Sequence, residues 1–258
     1  MTSHDPSSLG VVPEGLSILA LGTGDAFSAT RYGACLSVEH RDGDRIHRVL
    51  IDCPHPIRKI LREARDTSDL DVGSFDACVL THLHADHASG LEGWAFFHRF
   101  ALRRPATLLT HPAVARDLWA HLQPSMGVLL NAKREPVAMR EEDYFDVRTF
   151  VDSIELGPFR IEARTAWHHI PTIALRIHAG GRCFGYSADT AFDPALFEWL
   201  AESDLLVHEA NLGPAHTPYA ELAKLPAEVR AKMRLVAFPD ELVPTDVEPL
   251  QQGRRYVV

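Results

Sequence analysis

Residues 81–90 read Thr-His-Leu-His-Ala-Asp-His-Ala-Ser-Gly, between the apolar run Ala77-Cys78-Val79-Leu80 and an aromatic-rich stretch that begins at Leu91. The run, bounded by Asp76 and Thr81, predicts a buried strand, and Leu91 to Leu102 predicts a helix. His82, His84, Asp86 and His87 therefore crowd one strand-to-helix turn. His82 and His84 lie two residues apart on extended backbone and share a side. Asp86 and His87 turn the corner at the helix start. Neutral imidazole and carboxylate are ligands that borderline zinc accepts. One tetrahedral ion cannot use all four side chains at this spacing, so a pair of ions is expected. The competing reading is a polar loop that happens to be rich in histidine, and its position directly after an apolar strand argues against that.

The chain has 258 residues, 46% hydrophobic and 24% charged, which is globular and not disordered composition. Lys and Arg total 26 against 35 Asp and Glu, a net charge of -9, which excludes coating of nucleic acid by bulk electrostatics. An enzyme acting on a small phosphodiester or one RNA site remains compatible. The cysteines Cys35, Cys53, Cys78 and Cys183 form no CxxC pair and sit among apolar residues, which predicts buried free thiols in a reducing compartment. The first residues carry no signal-peptide pattern and no apolar run is long enough to span a bilayer, so a cytoplasmic enzyme is expected.

Residues 1–14 read as a polar tail, and 15–258 as one domain, since no Pro-, Gly- or Ser-rich linker divides them. Strands are predicted at Leu16–Leu21, Cys35–Glu39 and Arg48–Asp52, the last two joined by a turn at Asp42-Gly43-Asp44. A helix follows from Ile57 to Ala64. Further along come a strand at Thr107–Thr110 and a helix from Val114 to Leu122. In a second β-rich section, Asp146–Val151 and Phe159–Ala163 alternate at period two around Gly157-Pro158. Thr172–Ile177 and Cys183–Tyr186 flank the hairpin signal Gly180-Gly181. A helix at Pro194–Leu200, a strand at Leu205–Val207, helical sequence from Tyr219 to Met233 broken at Pro226, and a last strand at Leu235–Phe238 complete the pattern. Two β-sheets covered by helices are the economical arrangement.

His82 to His87, HLHADH, resembles the HxHxDH signature of the metallo-β-lactamase fold hydrolases. Leu21-Gly22-Thr23-Gly24-Asp25-Ala26 resembles the opening strand and loop of the ribonuclease Z-like, phosphodiesterase branch. Ile51-Asp52-Cys53 resembles its Asp-bearing strand end, Tyr186-Ser187-Ala188-Asp189-Thr190 its YSGDT segment, and Val207-His208-Glu209-Ala210 its HEAT segment. The resemblance spans most of the chain and implies an α/β fold, a four-layer αββα sandwich. It implies that His82 and His84 serve one ion, Asp86 and His87 a second, and that Asp189 bridges both. A further His ligand is expected near Trp167-His168-His169-Ile170-Pro171. Pro171 sets the register that makes His168 the ligand and leaves His169 beside it.

The same resemblance implies two divalent ions, zinc ahead of manganese or iron. It implies a metal-activated water as nucleophile, with Asp86 as ligand and proton acceptor. His216, oriented by Glu209, would protonate the leaving group. Closed structural zinc sites favour cysteine, and no cysteine lies in these clusters, so the metal is read as catalytic. One departure stands out. The family ends its last strand with a His for the second ion, but here that strand reads Leu235-Val236-Ala237-Phe238-Pro239-Asp240, and no His follows His216. Asp240 or water at the gap, recruitment of His208 or His216, or a weak second site are the three alternatives. Ala188 also stands where the family has Gly.

For substrates, the resemblance points to a phosphodiester, either a cyclic nucleotide or an RNA 3′ end. Residues 123–146 are a mixed-charge stretch with Lys133, Arg134 and Arg140 among more acids, unlike the Gly-rich arm of tRNA-processing members. That favours the small substrate. The alternatives are another hydrolase of the fold, for an ester, thioester or lactam, or a degenerate metal-binding protein. No membrane partner is expected, and homodimerisation is left open. The remaining histidines, among them His4, His40, His98 and His121, read as tail, strand-edge or helix residues without a role.

Overall fold

The computed structural model of the chain describes residues 11–64 and 70–258. The polar tail expected over residues 1–14, with His4, lies outside the described residues except for 11–14, where Val12 is already buried.

The strands are β1 (Gly15–Gly22), β2 (Cys35–Asp42), β3 (Arg45–Ile51), β4 (Ala77–Val79), β5 (Ala106–Thr110), β6 (Val128–Leu130), β7 (Pro136–Ala138), β8 (Phe145–Thr149), β9 (Ser153–Leu156), β10 (Phe159–Ala166), β11 (Thr172–Ala179), β12 (Arg182–Tyr186), β13 (Leu205–Glu209), β14 (Met233–Val236) and β15 (Arg255–Val257). One sheet runs β15-β1-β2-β3-β4-β5-β8, the other β14-β13-β12-β11-β10-β9. The helices are α1 (Ile57–Glu63), α2 (Ala85–Ala88), α3 (Leu91–Phe97), α4 (Pro112–Met126), α5 (Pro194–Ala201), α6 (Tyr219–Ala223) and α7 (Ala227–Ala231).

The near-continuous apolar run of β1, interrupted at the buried Ser17, has a simple cause. Leu16, Ile18 and Ala20 enter the core between the sheets, while Leu19 and Leu21 pack under helices on the other face. A strand covered on both faces is apolar at nearly every position. The same split recurs in β4, where Ala77 and Val79 face the inter-sheet core and Cys78 faces the helices. In the second sheet Ile173, Leu175 and Ile177 meet the first sheet, and Ala174 and Leu206 meet α5 through Leu196, Phe197 and Leu200. Each fully buried Leu, Ile or Phe contributes about 1.5–3 kcal/mol. Helix, sheet, sheet and helix are thus four layers of the αββα sandwich. All four cysteines are buried and free.

Four expectations are corrected. Asp146–Val151 is not the partner of Phe159–Ala163: β8 runs parallel to β5 at the edge of the first sheet. The hairpin across Gly157 is formed by β9, which the period-two reading passed over. Leu235–Phe238 is not the last strand either. The chain returns to the first sheet, where β15 pairs with β1. The helix expected from Leu91 to Leu102 is α-helical to Phe97 and then widens into a π-turn over His98–Leu102. His40, read as a strand-edge residue, is buried and meets the Phe159 ring edge-on. Within 123–146 the exposed hairpin of β6 and β7 was not anticipated; its few alternating positions carry mixed polarity.

Among the described residues no helix is long and apolar enough to cross a membrane.

Candidate metal centre

The centre lies where several strands end on one side of the sandwich. His82 and His84 follow β4, with His84 capping α2 in extended conformation, so Asp86 falls in the first turn of that helix. His168 sits between β10 and β11, Asp189 follows β12, and Glu209 ends β13. Backbone contacts lock the turn: Cys53 N–H donates to His87 O and Gly90 N–H to Cys53 O, both at 2.7 Å. A Cβ on Gly90 would meet Pro54 O at 2.4 Å, and one on Gly33 would meet Asp86 O at 2.3 Å, so both approaches require glycine.

Hydrogen bonds decide which ring nitrogens carry protons. His87 Nδ1–H donates to Asp52 Oδ2 at 2.8 Å, since a carboxylate only accepts. Thr81 N–H and Oγ1–H donate to Asp52, so Thr81 Oγ1 accepts from His82 Nδ1–H at 3.0 Å. His168 Nδ1–H donates to Ala215 O at 3.0 Å. Each bond turns Nε2 to the opposite edge of its ring. His82 Nε2, His87 Nε2 and Asp189 Oδ1 are buried with no hydrogen-bond partner. Burying lone pairs unpaired costs about 1–3 kcal/mol each, and a shared cation is the group that satisfies them together. These residues therefore fit divalent metal.

Two donor sets converge. His82, His84, His168 and Asp189 place ligand atoms within 4.8 Å of one another, as do Asp86, His87 and Asp189. His168 Nε2 lies 2.9 Å from His84 Nδ1. Asp189 Oδ2 lies 3.8 Å from His168 Nε2 and 3.9 Å from His82 Nε2, whereas Oδ1 lies 3.3 Å from His87 Nε2. One carboxylate thus faces both sets. Burial works to raise the Asp189 carboxyl, but His87, His168 and His216 facing it hold it down to about 2. Burial also works to lower His87, yet Asp189 and Asp52 beside it drive it well above the ordinary range. His82, buried among other imidazoles, is held well below it.

Glu209 and His216 form a third group with Asp189. His216 Nδ1–H donates to Glu209 Oε1 at 3.0 Å, and Thr190 N–H donates to the same oxygen at 2.7 Å. Burial pushes Glu209 up to about 8 against the opposing effect of His216. His216 is itself raised: burial lowers it, but Glu209 outweighs that.

The structure brings together every residue singled out from the sequence as a ligand or catalytic group. His169 is exposed and lines the same cleft. The gap left by Ala237 is not filled by two of its candidates. Asp240 is committed to Ser28, Ala29 and Arg31. His208 is buried against Phe197, with Nδ1–H donating to Glu209 O. The Asp86, His87 and Asp189 set thus offers three donor residues where the other offers four. Asp52, Ala188 and Ala237 have φ of 58°, 51° and 48°, a left-handed conformation that explains why glycine would suit position 188. Sequence reasoning did not assign the orienting roles of Asp52 and Thr81. The available signal was a lone carboxylate closing an apolar strand.

The donors floor a cleft of about 640 Å³ whose walls include Asp25, Phe27, Asn211, Leu212, Asp240 and Glu241. Among the described residues no Lys or Arg lines it.

A family profile described as Anti-Pycsar protein Apyc1 matches residues 16–256. The Anti-Pycsar protein Apyc1 of Bacillus phage 010DV004 is 28% identical over 243 residues, covering 88% of this chain and 90% of the relative. The cAMP/cGMP-dependent 3′,5′-cAMP/cGMP phosphodiesterase B of Dictyostelium discoideum is 28% identical over 177 residues, 61% of this chain but 15% of that protein. The metallo-β-lactamase fold protein YhfI of Bacillus subtilis superposes with a TM-score of 0.72 at 17% identity, covering 95% of this chain and all of that one, a likeness of fold.

Proposed function

Because the chain belongs to the Anti-Pycsar protein Apyc1 family, we propose that it is a metal-dependent phosphodiesterase that opens the ring of a 3′,5′-cyclic nucleotide. The observation that carries this reading is the convergence of buried, unpaired ligand atoms on Asp189 at the floor of the cleft. Divalent ions bound there would make water nucleophilic at neutral pH and draw charge from the phosphoryl oxygens. His82, His84, His168 and Asp189 are the residues to hold one ion, and Asp86, His87 and Asp189 the other, with zinc favoured by the imidazole-rich set.

The chain's own groups divide the remaining work. Asp86, on the first turn of α2, orients the attacking water and accepts its proton. His216 Nδ1–H is fixed on Glu209, so its Nε2 is the atom placed to hand a proton to the departing sugar oxygen. Asp52 and Thr81 keep His87 and His82 in the tautomers that ligate. Residues 15–258 act as one domain, because the donors come from both sheets.

The lining also bears on substrate size. Asp25, Asp86, Asp189, Asp240 and Glu241 surround the cleft and no Lys or Arg lines it among the described residues, so bound metal would be its main attraction for phosphate. An RNA backbone needs a run of cationic contacts, which this cleft does not offer. One small phosphodiester needs only the metal charge.

The test is hydrolysis of 3′,5′-cyclic nucleotides by the zinc- or manganese-loaded protein, followed by chromatography of the nucleoside monophosphate. Asp86→Ala and His84→Ala should each abolish nearly all turnover while melting stays cooperative. Retained turnover in either folded variant refutes the assignment.

A further inference from the structure

Phe27 is 91% exposed and Leu212 77% exposed, yet both line the metal cleft. Large apolar side chains left in water beside a site signal a ligand surface more than chance does when they converge on one cleft.

Their exposure does not come from loose loops. The segment after β1 is tied at two places. Asp25 is 7% exposed; its Oδ1 accepts from Phe27 N–H at 3.1 Å, and its Oδ2 accepts from Asn211 Nδ2 at 3.2 Å. One buried carboxylate thereby joins the loop that carries Phe27 to the loop that carries Leu212. Asn211 Oδ1 in turn accepts from Leu212 N–H at 2.8 Å. A few residues further on, Ser28 Oγ–H, Ala29 N–H and Arg31 donate to Asp240 on a third loop. The Arg31 guanidinium also lies 4.0 Å over the Phe238 ring.

We propose that Phe27 and Leu212 clamp the nucleobase of the substrate, with Phe27 as the stacking face, Leu212 as its apolar counterpart and Asp25 as the residue that fixes their spacing. This rests on the reading of the site as a cyclic nucleotide phosphodiesterase. A base is flat, weakly hydrated on its faces and joined to the phosphate by one sugar. That matches a cleft whose floor holds metal donors and whose walls carry two large exposed apolar side chains among acidic ones. Asp240 is held by Ser28, Ala29 and Arg31, and Asn211 spends Oδ1 and one Nδ2 hydrogen within the loops, so the contact with the base rests mainly on the apolar pair.

The experiment measures binding to the zinc-loaded protein by calorimetry, with two probes. One is the slowly hydrolysed Rp phosphorothioate of 3′,5′-cyclic AMP, and the other is abasic ribose 3′,5′-cyclic phosphate. In wild type the nucleotide should bind more tightly than the abasic probe, and Phe27→Ala should shrink that preference about tenfold, the scale of one base–aromatic stack. Phe27→Trp should restore it, and Leu212→Ala should reduce it by a smaller factor. An undiminished preference in Phe27→Ala overturns the clamp. So does a change of oligomeric state in that variant by light scattering, which would make Phe27 a contact for a second copy. Wild type that prefers the nucleotide but hydrolyses nothing supports the clamp and refutes the phosphodiesterase reading. Wild type that binds neither probe overturns both.

Discussion

Asp52→Asn is the substitution whose consequence can be worked furthest from the structure. Asp52 is fully buried and accepts from His87 Nδ1–H, Thr81 N–H and Thr81 Oγ1–H. Its φ of 58° is a conformation that Asn tolerates well, so the change leaves the backbone unstrained. Asn can still accept the two Thr81 bonds through Oδ1. Its Nδ2 then faces His87 and can only donate. His87 must move its proton from Nδ1 to Nε2, the atom that lies 3.3 Å from Asp189 and should hold metal. Disturbing an orienting partner of this kind lowers metal affinity about 10–100-fold, or about 1.4–2.7 kcal/mol. The loss should fall on the ion held by Asp86, His87 and Asp189. The other set, reached from Asp52 only through Thr81 and His82, should change much less. The metal-free fold should lose about 1 kcal/mol, near 2–4 °C in melting temperature for a chain of this size. Zinc titration of the metal-free protein against a chromophoric chelator resolves the two affinities. If Asp52→Asn folds and binds both ions as wild type does, then Asp52 does not set the His87 tautomer and the reasoning fails.

Two further outcomes follow from buried acid–base groups. Glu209 favours the protonated form of His216, so Glu209→Gln should move the basic limb of the pH–rate profile to lower pH and reduce kcat by about 10²-fold; an unmoved limb would remove Glu209 from the proton path. His98 is buried beside Trp94 with neither ring nitrogen bonded, and burial lowers it to about 4. Above its ordinary 6.5 it is neutral in both states and adds no pH dependence; between 6.5 and about 4 only the unfolded chain takes up the proton, so stability falls by about 3 kcal/mol over that window. His98→Leu should flatten the acid side of a melting-temperature profile, and an unchanged slope there would show that His98 is not its source.

The αββα layering was legible because both faces of each central strand are covered. That forces apolar runs such as Ile18–Leu21 and Ala77–Leu80, and the runs can be read without knowing their neighbours. His82, His84, Asp86 and His87 were legible for a related reason. They lie on one turn, so local geometry alone brings them together. His168, Asp189, Glu209 and His216 carry no such local signal, and only their likeness to family segments pointed to them. Non-local strand pairing left no signal to read. β8 joins β5, and β15 returns to β1 after more than two hundred residues, a choice made by which sheet edge is free.

The sequence by itself determined the layers, the first four donors and the want of a closing histidine after His216. Only the tertiary structure decided which ring nitrogens point inward, which residues hold them there, and that Asp240 is held by Arg31 and not by the centre. Spacing along a chain encodes direction over a few residues. A ligand shell a few ångströms wide is assembled from strand ends far apart in sequence, and its shape exists only once the sheets have packed.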